Sequence, residues 1–155
     1  MKKYKPYIIT FAAAFLTALL GGIVTYVNMG RYEDLIKPPL SPPGYLFPIV
    51  WTILYALMAY GAGRIYSITG TIRTPALYLY GVQLLFNFGW SLLYFGFGAY
   101  LAAFIWLLIL WAMVAAMIVL FYRTDRKAGL LQIPYLLWLS FAAYLNLAIY
   151  LINFT

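Results

Sequence analysis

The feature that most limits what this chain can become is where its charges are missing. Residues 7–27, 75–95, 100–122 and 130–152 form apolar runs without a charged side chain, and residues 45–66 form a fifth with only Arg64 near its end. A run of about 20 apolar residues, helical at about 1.5 Å per residue, spans a hydrocarbon core roughly 30 Å thick. Lipid offers no partners to backbone N–H and C=O groups, so such runs satisfy themselves as helices. Only 8% of the residues are charged and 66% are hydrophobic, against roughly 25% charged in soluble domains. The reading is an all-α integral membrane protein, a bundle of five transmembrane helices forming one domain over residues 1–155. Residues 28–43 form the loop between the first two spans. The basic start, Lys2, Lys3 and Lys5, is shared with signal peptides. However, the run behind it is long enough to span and no polar cleavage region follows.

Charge then sets an expected orientation. Lys2, Lys3, Lys5, Arg64, Arg73, Arg123, Arg126 and Lys127 fall on one side of a five-span topology, and Arg31 and Lys37 on the other. The positive-inside rule places the N-terminus inside and the C-terminus and the 28–43 loop outside. The net charge of +7 fits an anionic leaflet rather than nucleic acid.

Several chemistries are removed by composition. The chain has no cysteine and no histidine, so thiolate nucleophiles, imidazole bases, ordinary zinc sites and His or Cys haem ligation are all absent. The acids, Glu33, Asp34 and Asp125, lie outside the apolar runs, which argues against a proton-coupled pump. No internal repeat supports an inverted-repeat transporter.

What remains is aromatic and amide chemistry. Aromatic residues make up 21% of the chain, more than two interfacial belts need. Gln83, Asn87 and Asn146 are the polar groups deep in the spans, and they should face the bundle interior. Gln83, Asn87, Trp90, Ser91 and Tyr94 share one helical face; so do Trp51, Tyr55 and Met58, and so do Tyr135, Trp138, Ala142 and Leu145. Three such faces can line one cavity. Simpler roles compete. Asn87 also suits helix–helix hydrogen bonding, Trp51 an interfacial anchor, Phe86 and Phe141 plain packing, and Gly21, Gly22, Gly61 and Gly63 close helix approach. Ahead of the second span, Pro38, Pro39, Pro42 and Pro43 make a rigid extended elbow suited to a lid.

Lys37-Pro38, Pro42-Pro43, Val50-Trp51-Thr52-Ile53-Leu54-Tyr55, Met58, Gln83-Leu84, Asn87, Trp90-Ser91, Phe95-Gly96, Pro134-Tyr135, Trp138, Phe141-Ala142 and Leu145-Asn146 occur in this order on successive spans. Taken together the chain resembles the translocator protein family, also called the tryptophan-rich sensory protein or peripheral-type benzodiazepine receptor family, in its bacterial form. The resemblance covers nearly all of the chain. It implies a homodimer in the cell membrane with a pocket opening toward the first loop. It also implies ligands of the porphyrin class such as protoporphyrin IX, or synthetic benzodiazepine-site ligands, with no further cofactor. The implied ligand-binding residues are Pro42, Pro43, Trp51, Tyr55, Phe86, Asn87, Trp90, Trp138, Phe141, Ala142 and Leu145. The chain departs from the family where many relatives carry lid tryptophans, having Leu40 and Tyr45, and where many carry an Asp in the fourth span, having Trp106. No basic residue follows Tyr150, so the resemblance does not extend to the sterol-recognition motif of animal members.

The expected function is a receptor or sensor that binds tetrapyrroles and regulates their metabolism or a stress response. Light-dependent porphyrin breakdown, and transport of porphyrin or lipid-like molecules, are the alternatives.

Overall fold

The computed structural model describes residues 2–68 and 73–155. The part of the second connection at 69–72 lies outside the described residues. Seven α-helices follow in order: α1 Lys5–Val27, α2 Met29–Glu33, α3 Leu46–Ser67, α4 Arg73–Ser91, α5 Tyr100–Thr124, α6 Arg126–Leu130 and α7 Ile133–Phe154. Among the described residues, five stretches are long and apolar enough to cross a membrane, from 22 to 29 residues each. The two short helices cap opposite ends of the bundle, which gives names to its ends: the α2 end and the α6 end.

Local chemistry explains the breaks. Asn28 stops α1 by turning its side-chain amide back to the Val24 carbonyl at 2.8 Å. The prolines from 38 to 43 keep the next stretch non-helical, and Leu40 sits there at φ 69°, a left-handed conformation that a branched side chain adopts at a cost. Pro48 is tolerated because it lies in the first turn of α3. At the far end Asp125 caps α6, its Oδ1 accepting from the Lys127 and Ala128 N–H groups. The connection between the fourth and fifth apolar runs, residues 123–129, therefore contains a helical turn. The end of α4 also departs from expectation. Leu92–Gly96 widens into a π turn, closed by the Phe97 N–H on the Leu92 carbonyl at 2.9 Å. Gly98, at φ +64°, reverses the chain into α5.

The α6 half of the bundle is solid. Met58, Ala59, Ala62 and Ile65 of α3, Val114, Met117 and Phe121 of α5 and Leu139 of α7 are all completely buried. Small residues bring α1 and α3 together: the Tyr7 ring lies over Gly63 and packs on Tyr60 at 5.7 Å. Thr10 Oγ1 donates to the Ala59 carbonyl and accordingly bridges the two helices, while Tyr80 of α4 donates to the Thr10 carbonyl, each at 2.8 Å. Interhelical hydrogen bonds of this kind contribute roughly 0.6–2 kcal/mol in a membrane. Gly61 admits the Gln132 amide, which donates to the Leu57 and Ala128 carbonyls. Arg64 and Asp125 pair at 2.7 Å, the one salt bridge among the described residues. Burial alone would raise the Asp125 carboxyl, but the hydrogen bond from Arg64 and those from the Ala128 and Lys127 N–H groups outweigh it and hold it below its ordinary value.

Candidate ligand site

The α2 half is hollow. A cavity of about 430 Å³ lies between α1, α3, α4 and α7, within the usual range for small-molecule sites of roughly 300–1,000 Å³. Each helix contributes for a local reason. On α3 the i, i+4 spacing stacks Phe47, Trp51 and Tyr55 on one face, and on α4 it aligns Asn87, Trp90, Ser91 and Tyr94. The π turn leaves Tyr94 buried against the cavity, with Phe95 beside it. From α7 come Trp138, Ala142, Leu145, Asn146 and Ile149, and from α1 the small residues Ala18, Gly21, Gly22 and Thr25.

The floor is a hydrogen-bonded relay. Tyr55 OH donates to Asn87 Oδ1, Asn87 Nδ2 donates to Tyr135 OH, and Tyr135 OH donates to Gln83 Oε1, each at 2.8 Å. Gln83 is completely buried and Tyr135 and Asn87 nearly so. Unpaired amides would be costly at this depth, so the relay fixes three helices against one another while presenting Tyr55 and Asn87 to the cavity. Higher up, Trp90 Nε1 donates to Asn146 Oδ1 at 3.1 Å, and Asn146 Nδ2 donates to the Tyr100 carbonyl at 2.8 Å. The indole of Trp51 meets Tyr135 and Trp138 edge-on, at 69° and 88° and 6.2 and 6.4 Å, and lies 5.6 Å from Tyr55. Such pairs contribute about 0.5–1.5 kcal/mol beyond burial. Among the described residues, no charged side chain lines the cavity.

Of the residues singled out in the sequence, Trp51, Tyr55, Asn87, Trp90, Trp138, Ala142 and Leu145 line this cavity. Four others stand apart from it. Phe86 points one helical step away and stacks on Trp106 at 4.4 Å and 16°. Trp106 donates its indole N–H to the Phe86 carbonyl at 2.8 Å and fills the notch at Gly89. Phe141 lies on a separate groove on the outer face between α3 and α7, with Val50, Ile53 and Leu137. Pro42 and Pro43 do not reach the cavity; Gly44 and Phe47 do.

The loop before α3 is held elsewhere. Arg31 donates to the Phe95 and Gly96 carbonyls at 3.2 and 2.8 Å. The Ile36 backbone exchanges two hydrogen bonds with the Asn153 amide, both at 2.9 Å, and Tyr144 OH donates to the Pro39 carbonyl at 3.0 Å. These clasps bind the loop to α4 and α7. Sequence reasoning missed the whole α1 wall, where Gly21 and Gly22 read only as packing residues. It also missed Phe47, which lacks a polar partner to draw attention to it.

Comparison with known proteins follows the same outline. The sequence matches the TspO/MBR family over residues 8–151. It is 38% identical over 125 residues to the tryptophan-rich protein TspO of Chlorobaculum tepidum, covering 79% of this chain and 78% of that one. It is 38% identical over 115 residues to the tryptophan-rich sensory protein of Cereibacter sphaeroides, covering 74% and 72%. The translocator protein of Ovis aries is 38% identical over 118 residues, covering 74% and 70%. Matched along most of its length, and built as five membrane-spanning stretches around an aromatic cavity, the chain belongs to the TspO/MBR family.

Proposed function

We propose that this protein is a membrane receptor or sensor that binds a flat, apolar ring system of the porphyrin class in the cavity of its α2 half. The observation that carries this reading is the arrangement around Trp51, where Phe47, Trp51 and Trp138 wall a space floored by Tyr55 and Asn87, with Tyr135 packed edge-on behind Trp51. Edge-on and tilted aromatic rings offer a flat π-system both stacking and edge contacts. The uncharged wall suits the macrocycle and disfavours burying its carboxylates. Those belong outside it, toward the loop, where Arg31 and Lys37 donate to backbone carbonyls and Lys37 lies 4.9 Å over the ring of the lining residue Tyr32. Relatives named as sensory and translocator proteins support a ligand-responsive role. A second reading, light-dependent breakdown of the bound ring, is favoured by the run of aromatic contacts from Trp138 through Trp51 to Tyr135.

The test is a titration with protoporphyrin IX in the dark, read by tryptophan quenching and the Soret band. Trp138→Phe and Tyr55→Phe should weaken saturable binding several-fold, and Arg126→Ala, far from the cavity, should not. Absence of saturable binding, or equal binding by all variants, would remove the porphyrin reading. Illumination of the complex then decides the second reading: ring loss in wild type that survives both Trp51→Phe and Trp138→Phe would exclude these indoles.

A further inference from the structure

The cavity reaches the surface sideways. Five of its lining residues are exposed: Gly22 and Tyr26 on α1 and Pro48 and Thr52 on α3, on the flank of the bundle, and Gly44 at the end of the loop. Tyr26 is 84% exposed. The two helices are tied at the α6 end by Tyr7 over Gly63 and by Thr10 on the Ala59 carbonyl. Among the described residues, no side-chain hydrogen bond joins them in the α2 half, and the cavity emerges there. Gly22 adds nothing to the gap; a Cβ built on it meets no atom within 4 Å.

The chemistry of the rim says which phase it faces. Thr25 donates to the Gly21 carbonyl and Thr52 to the Pro48 carbonyl, at 2.9 and 2.7 Å. Each hydroxyl proton is spent on its own helix, so the slot's polar groups do not depend on water and can face hydrocarbon cheaply. Above the cavity, by contrast, the loop is clasped to α4 and α7 through Arg31, Ile36 and Pro39. An apolar ligand coming from water must loosen those clasps; one already dissolved in the bilayer need not.

We infer that the slot between α1 and α3 is the entrance, and that the ligand is drawn from the hydrocarbon of the leaflet on the α2 side. The ligand class is thereby narrowed to a membrane-dissolved flat amphiphile, one that slides in ring-first with its polar edge at headgroup level. This rests on the reading of the cavity as a ligand site.

The test uses the whole protein in phosphatidylcholine vesicles with protoporphyrin IX, following the rate of tryptophan quenching while the lipid is varied at fixed porphyrin. The association rate should follow porphyrin per lipid, not its concentration in water. Gly22→Phe should slow association and dissociation together, by about tenfold or more, as expected of a narrowed gate. Gly81→Phe, on α4 with equally open space around it, should leave both rates unchanged. A rate set by aqueous porphyrin, or Gly22→Phe weakening affinity with association unchanged, overturns the inference. A second readout does not need porphyrin: quenching of Trp51 by brominated phosphatidylcholine, taken as the difference between wild type and Trp51→Phe. Quenching that Gly22→Phe relieves supports the slot even where porphyrin fails to bind, an outcome that defeats the porphyrin reading alone. Quenching that is absent, or indifferent to Gly22→Phe, overturns the slot.

Discussion

The two halves of this bundle are built from the same helices and behave as opposites. Toward the α6 end, α1 and α3 meet through Gly63, Thr10 and Ala59, and the interior is filled by completely buried aliphatic and methionine side chains. Toward the α2 end the cavity lies beside the same pair; Gly21 there faces Ser91, and Gly22 borders open space. The relay from Tyr55 to Gln83 marks the boundary. A glycine therefore has two meanings in one chain. In the solid half it admits a neighbour, and in the hollow half it leaves room for a guest.

Two glycine-to-alanine changes and one change at the ion pair test that contrast. The largest effect is expected at Gly129, where an added Cβ would lie 2.6 Å from the Tyr122 Cα and 2.7 Å from its backbone nitrogen. Backbone cannot step aside as a side chain can, so Gly129→Ala should cost about 3 kcal/mol, the upper range of overpacking. Thermal unfolding in detergent micelles reads this; a midpoint equal to wild type would mean that the α5–α6 corner is looser than described.

An intermediate effect is expected from the ion pair in the solid half. The Asp125 carboxyl is held low in the fold, so its stabilisation is fully present above the unfolded carboxylate's pKa. That stabilisation is lost as pH falls through the lower folded value. Asp125→Asn keeps an oxygen for the α6 cap but loses the charge, and should cost about 1 kcal/mol at neutral pH, since Arg64 is partly exposed. Melting profiles of the two proteins should converge below the ordinary carboxylate range; a gap that persists in acid would assign the effect to something other than this charge.

The smallest effect, and of opposite sign, is expected at Gly22. It lies in a helix with open space around it. Gly22→Ala should therefore stabilise by roughly 0.5–1 kcal/mol through helix propensity. Destabilisation there would show that the α1–α3 gap is narrower than the structure gives.

Much of the solid architecture was legible because hydrophobicity and helical period are local properties. Five apolar runs, separated by charged connections and by the glycine turn at 96–98, predict five spans, and Asn87, Trp90 and Tyr94 announce a shared face by spacing alone. The misplacements have geometric causes. Phe86 is adjacent to Asn87 in sequence, but one residue turns a helix by about 100°, and Trp106 captures the ring on the far side. Phe141 follows Trp138 by three residues, yet it packs on the outer groove. The π turn depends on tertiary partners, Arg31 on the Phe95 and Gly96 carbonyls and the reversal at Gly98, and no local pattern in residues 92–96 predicts it. The cavity's α1 wall was hidden for a related reason: a cavity is made by what two helices fail to fill, and absent side chains leave no periodic signal.

The indole hydrogen bonds have a spectroscopic consequence. Three of the five tryptophans have their N–H committed: Trp90 to Asn146, Trp106 to the Phe86 carbonyl and Trp111 to Ser140. Trp51 and Trp138, which face each other across the cavity wall, have no such partner among the described residues. The molecule thus carries its own reporter and its own reference. A guest that presents an acceptor to either ring will shift its vibrational signature, while Trp106 and Trp111, which do not line the cavity, stay as an internal standard with no label attached.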